Sequence, residues 1–238
     1  MRTALANFVG SLNRVRNITF EIDGALSLAL SDKRVQQRHE TIECASTVIL
    51  SGYFESFLAD VPEAFVSDLC SRQIPFDRLP LRIRSTHFGD GADFLAKKAK
   101  REAATLKRDA SMPRGLIESE AIAKRIASVA LGPPYELVWE AFVATRANPG
   151  PDTIREFLNR FNVDNGWTTL SAGAGLSETT LEASLKSFIN VRNECAHSGT
   201  ATKIPTPSDI RDYCDLFEKL ASGLTSILEA HLSSTAFS

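Results

Sequence analysis

The sequence predicts an all-α bundle, and three observations carry that reading. Apolar residues recur at helical spacing in one segment after another, from Leu5 to Leu228. Proline–glycine breaks, LGPP at 131–134 and NPGPD at 148–152, separate those segments. Strand signals are sparse: LPLRIR at 79–84 alternates like a short edge strand, and Pro80 weakens even that.

Taken in order, residues 3 to 18 place Leu5, Phe8, Val9, Leu12 and Val15 on one face of a first helix. Asn17 to Asp32 joins a strand-like ITFEIDG to a helical ALSLALSD, and the helical reading is preferred. Lys33 to Val61 is the longest segment. Its Cys44, Val48, Ile49, Leu50, Tyr53, Phe54, Phe57, Leu58 and Val61 cover most of the circumference, which puts it at the centre of a bundle. Pro62 then opens a further helical piece, PEAFVSDLCSR, and residues 74–91 read as irregular. GADFLAKKAKREAATLKR is a basic helix, SMPRG a break, and LIESEAIAKRIASVA another helix. Pro151 or Asp152 opens TIREFLNRF, while NVDNGW and SAGAG read as loops. Ser177 caps a helix that runs through Leu181 toward Gly199. Thr206-Pro207-Ser208-Asp209 supplies a hydroxyl cap, a proline at the first position and an acid at the third. The final helix aligns Ile210, Cys214, Phe217, Ala221, Leu224 and Leu228, and it forms an antiparallel hairpin with the helix before it.

Composition bounds the function. With 238 residues and no internal repeat, the chain reads as a single domain over 1–238. Cys44, Cys70, Cys195 and Cys214 lack zinc-site spacing and fit a reducing cytoplasm rather than a disulfide scaffold. No run approaches the roughly 18 apolar residues of a membrane span, so no membrane partner is expected. A net charge of −2 gives no general attraction to nucleic acid. Between Asp77 and Arg125, however, 12 basic and 7 acidic residues leave a local +5. Lys97, Lys98, Lys100 and Arg101 form its densest run. Such a run is either a solvated helix face or a patch that tracks phosphates, and both readings stay open.

The sharpest breach of pattern is Arg192-Asn193-Glu194-Cys195-Ala196-His197. On a helix, Leu181, Leu185, Phe188, Cys195 and Ala196 make one apolar stripe, and Arg192 falls in its middle. An arginine there faces a core or an interface, and leaving it unpaired costs on the order of several kcal/mol. Its planar, permanently charged fork suits phosphate, and His197 can move a proton near neutrality. Five positions apart, the two diverge by about 140°. They converge if the helix unwinds near Ser198-Gly199, or if they meet across a dimer axis. Asn193 shares a face with His197 and is placed to orient it. Glu55 is either a carboxylate on the polar edge of the long helix or a partner for Arg192 or His197. The plainer readings are a helix C-terminal dipole partner for His197 and a structural ion pair for Arg192. No nucleophile, paired-carboxylate or phosphate-loop motif competes.

The string from Arg192 to Gly199 resembles the RNxxxH signature of HEPN domains, in particular their RiboL-PSP-like branch, with Ser198 intervening before the glycine. TVILSGYFESFLADV is similar to an earlier helix of that branch, which carries an acidic residue after an aromatic, and NPGPDTIREFLNRF to its middle helix. The resemblance spans about 40–230, is most specific over 185–215, and leaves 74–133 as a basic helical insertion. It implies a HEPN-like bundle, a twofold homodimer, and a metal-independent endoribonuclease without cofactor. In the family, the motifs of two subunits face each other in one cleft. Carried over, His197 assists attack of a ribose 2′-hydroxyl on the adjacent phosphate or protonates the leaving 5′-oxygen. Arg192 holds the scissile phosphate and stabilises transition-state charge. Asn193 orients His197 or contacts the phosphate, and Glu55 supports; apart from the resemblance, Lys97, Lys98, Lys100 and Arg101 are the candidate RNA-binding residues if the basic run tracks phosphates. Such domains commonly serve as toxins or anti-phage effectors, which implies a controlling partner such as an antitoxin. The alternative is a catalytically inactive HEPN-fold module that binds RNA or protein.

Overall fold

The computed structural model describes residues 1–29, 32–108, 114–144 and 149–234. Among these there are nine α-helices and no strand: α1 (Arg2–Ala29), α2 (Lys33–Ser71), α3 (Leu81–Ser85), α4 (Gly91–Arg108), α5 (Arg114–Ser128), α6 (Pro151–Arg160), α7 (Gly166–Gly173), α8 (Glu178–Ser198) and α9 (Pro207–Leu232). Short 3-10 turns at Phe76–Arg78, Val129–Leu131 and Trp139–Phe142, and a π turn at Thr86–Asp90, join some of them.

The all-α expectation holds, and α2 is its axis. Its 39 residues span about 58 Å, enough to serve two aromatic clusters. In one, Phe54 and Phe57 of α2 meet Phe8 of α1 and Phe217 of α9, with the Phe54 and Phe217 rings 4.6 Å apart. Phe188 of α8 closes this cluster 4.7 Å from Phe217. Farther along, Phe65 packs 4.5 Å from Phe161, which also meets Phe142 and Phe157. Arginines tie the periphery on: Arg16 of α1 to Asp215 and Glu218 of α9, and Arg125 of α5 to Glu140 through two bonds of 2.8 and 2.9 Å.

Three sequence expectations need correction. Pro62 does not start a new helix, because α2 runs through it to Ser71. A proline there removes one backbone hydrogen bond, but Val61, Phe65, Val66 and Leu69 around it are all buried. Packing outweighs the local defect. Residues 74–91 are largely helical rather than irregular, with a 3-10 turn at Phe76–Arg78 and continuous helical backbone from Leu81, and LPLRIR is no strand. Pro80 stands just before α3, where its missing N–H is not needed. Leu79 and Ile83, four apart, are the pair that is buried. Finally, 166–173 is a short helix, α7, with Trp167 and Leu170 buried, although its two ends read as loops. The SMPRG break falls partly on 111–113, outside the described residues, and α5 begins at Arg114.

Elsewhere the local signals carry through. α1 continues helically past Asn17, burying Thr19 and Ile22. Both Tyr213 and Phe217 of α9 meet Phe188 of α8, at 5.0 and 4.7 Å. All six residues of the predicted α9 seam are buried. Its capping box forms as written: the Asp209 N–H donates to Thr206 Oγ1 at 3.1 Å, and the Thr206 N–H donates to Asp209 Oδ2 at 2.9 Å. Thr206→Ala is expected to cost about 1 kcal/mol, read as a lower urea midpoint at unchanged slope. Among the described residues no helix is long and apolar enough to cross a membrane.

Candidate functional site

α8 carries the hexapeptide in its last two turns. The Ser177 side chain accepts from the Thr180 N–H at 3.1 Å and caps the start. Gly199, at φ +69°, closes the other end with its N–H on the Cys195 carbonyl, a left-handed conformation that glycine adopts without strain. The helix stays intact to Ser198. His197 and Arg192 therefore remain about 140° apart, and a single chain does not bring them together. His197 is exposed, whereas Arg192 is half-buried toward α2. Of the expected stripe, Leu181, Leu185, Phe188 and Cys195 are buried. Ala196 is not; it lies on the exposed flank because the stripe is narrower than expected.

Arg192 reaches Glu55 for a geometric reason. Cys195 lies level with Cys44, while Arg192, earlier in α8, meets Glu55, later in α2, so the two helices run antiparallel. Side chains on a helix lean toward its N-terminus. Arg192 thus leans toward later turns of α2, where Glu55 stands. Its Nη2 lies 3.6 Å from Glu55 Oε1, beyond hydrogen-bond distance. Nη1 donates to Asn193 Oδ1 at 3.2 Å, and Nε has no hydrogen-bond partner. The Arg192 and Glu55 side chains keep 23% and 25% of their exposure, so solvent reaches the pair. The guanidinium is held loosely and retains donors for an incoming anion. Ser51, fully buried, donates to Glu55 Oε1 at 3.0 Å and holds that carboxylate in place.

Residues 13–230 match the family described as RiboL-PSP-HEPN. The chain belongs to this family. No curated protein and no solved structure matches it. Family membership makes the chain, in general terms, a nuclease or RNA-binding module, and the match takes in α2, α8 and α9 together.

Within this HEPN chain the other expected site residues divide. Asn193 binds Arg192, and among the described residues it makes no hydrogen bond to His197. Lys97, Lys100 and Arg101 are exposed on α4, while Lys98 is ion-paired with Glu118 of α5. α4 packs mainly on α5 and the 86–90 π turn, and less on the 139–142 turn, whereas α8 packs on α2, α7 and α6. The basic run and the HEPN motif therefore sit on different parts of the bundle. Among the described residues no group of three or more His, Cys, Asp or Glu is placed to hold a metal ion.

Sequence reasoning missed two features of the motif. Glu194 Oε2 accepts the Thr202 N–H at 2.6 Å and ties the following loop back to α8, which steadies the turn that carries His197. Cys195 and Cys44, both free and buried, bring their sulfurs within 2.8 Å. Burial first, and then the Cys44 contact, push the Cys195 thiol well above its ordinary range. Neither contact has a local sequence signal, since each joins residues of unremarkable type across a turn or a helix pair.

Proposed function

We propose that this HEPN chain is a metal-independent endoribonuclease whose active site is completed by twofold pairing. One observation carries the reading. In a RiboL-PSP-HEPN chain, RNxxxH sets a loosely held arginine and an exposed histidine on divergent faces of one helix end. A second copy brings such faces into one cleft. There, His197 takes the proton of a ribose 2′-hydroxyl or protonates the leaving 5′-oxygen, and a dimer supplies one histidine for each step. Arg192 holds the phosphate and offsets the charge that grows on it. Asn193 accepts one hydrogen bond from the guanidinium and Glu55 lies beside it, which leaves it free to turn toward the phosphate. The products carry a 2′,3′-cyclic phosphate and a 5′-hydroxyl. Single-stranded or loop RNA suits this chemistry, because unstacked nucleotides reach the in-line geometry that 2′-hydroxyl attack needs. Lys97, Lys100 and Arg101 track the backbone of a longer RNA away from the cleft. A toxin or anti-phage effector in the cytoplasm, held in check by an antitoxin or another defence component, is the setting this activity fits.

The test is a gel assay of total RNA with wild type and His197→Ala in EDTA. Wild type is expected to cut and the variant not to, with equal stability because His197 is exposed. Cutting by both at the same rate would sink the assignment. A second reading, a HEPN-fold module that binds RNA or protein without cutting, is favoured by one observation: Arg192 already has an acidic neighbour in its own chain. RNA retained by wild type but left whole would select it.

A further inference from the structure

Glu55 belongs both to the Arg192 contact and to a groove of about 270 Å³ beside it. The groove exists because α2 carries Gly52, Ser56 and Ala59 at successive turns, opposite Val143 and Pro149. Its far wall is fixed, since Arg160 donates to the carbonyl oxygens of Ala141 and Val143 at 2.6 and 3.0 Å. At this size, below the roughly 300 Å³ where pockets for drug-sized ligands begin, it admits one flat ring system and not a folded peptide.

The carboxylate of Glu55 is divided between two tasks. Oε1 accepts the buried Ser51 hydroxyl and faces Arg192. Oε2 accepts no hydrogen bond among the described residues. The walls are mainly apolar, from Leu58, Ala59, Val143 and Pro149, with the hydroxyl-bearing Ser56 and Thr153 among them; a carboxylate oxygen in such a groove suits a ligand with N–H donors on one edge and an aromatic face.

Resting on the ribonuclease reading, we propose that this groove holds the nucleobase next to the scissile phosphate and that Glu55 reads it as guanine. Guanine presents adjacent N1–H and N2–H donors, which match the two oxygens of a carboxylate, and Oε1 keeps a lone pair beyond the one Ser51 uses. Adenine and cytosine set an acceptor nitrogen beside their single amino group, and uracil flanks its one N–H with two carbonyls. Each would turn lone pairs toward Glu55. Ser51 is then a positioning residue, holding Oε1 inward so that Oε2 faces the groove.

Titration of the full wild-type chain with 3′-GMP, 3′-AMP, 3′-CMP and 3′-UMP tests this, with the methyl resonances of Ala59, Val143 and Ala144 as reporters. 3′-GMP is expected to bind at least about tenfold tighter than 3′-UMP. Gly52→Leu fills the groove without strain, since a Cβ there meets nothing within 4 Å. It is expected to erase the preference while leaving Tm unchanged or higher. Equal affinities for all four nucleotides, or a guanine preference that survives Gly52→Leu, would overturn the proposal. A stronger response to methylguanidinium than to any nucleotide would also overturn it, marking the groove as a seat for a partner's basic side chain. Mononucleotide binding needs no cleavage, so RNA left uncut refutes the ribonuclease reading and not the groove. RNA cut by a chain with no guanine preference does the reverse.

Discussion

Arg192→Ala is expected to slow RNA cleavage by about a hundred- to a thousandfold, the usual effect of removing one donor aimed at developing charge. Stability is expected to change little, because Glu55 keeps the Ser51 hydrogen bond and a quarter of its exposure. The sharper experiment replaces the pair, Arg192→Met with Glu55→Gln. Methionine completes the apolar stripe of Leu181, Leu185, Phe188 and Cys195 at similar volume, and glutamine still accepts from Ser51. Exchanging a partly buried ion pair for neutral groups of matched shape is often neutral or stabilising. The double variant is therefore expected to melt at or above the wild-type temperature and to cut no RNA. That result would mean the charge is kept on the stripe for chemistry. A double variant that melts several degrees lower and still cuts would make the pair structural and remove Arg192 from the active site.

How much of this could be read from the chain depends on whether local signals agreed with packing. At α9 they agreed at every level: hydroxyl cap, first-position proline, acid at the third position, and a seam of apolar residues that is buried throughout. At Pro62 they conflicted. The missing N–H is visible in the sequence, whereas the burial of Val61, Phe65, Val66 and Leu69 on several neighbours is not. α7 has too few residues for periodicity to speak. For the site, the chemistry of Arg192 and Glu55 suggested each other as partners, but the antiparallel docking of α8 on α2 decided it. Ser51 illustrates the limit. A serine in the middle of an apolar helix reads as an ordinary small residue until its hydroxyl is seen to hold the Glu55 carboxylate.

Lowering the pH from 7 to 5 is expected to destabilise the fold by about 2 kcal/mol through His87 alone. His87 is fully buried in the π turn between α3 and α4, among Phe76 and Phe88, and its Nδ1 accepts the Val138 N–H at 3.1 Å. Burial, with Arg125 adding to it, outweighs the opposing pull of the Ile126 backbone and lowers its pKa from 6.5 to about 4. Protonation at Nδ1 would also set an N–H against the Val138 N–H. Below pH 6.5 the unfolded chain thus binds a proton that the folded chain refuses, so the stability present at neutral pH drains away as pH falls toward 4. His231, whose pKa burial also lowers, adds in the same direction. Urea midpoints of wild type and His87→Asn at pH 7 and pH 5 separate the two. Asparagine can still accept from Val138 but does not titrate, so the variant is expected to lose about 2 kcal/mol less than wild type over that interval. Equal losses in both proteins would mean that His87 is protonated as readily in the fold as outside it, and the acid sensitivity would then lie with the carboxylates.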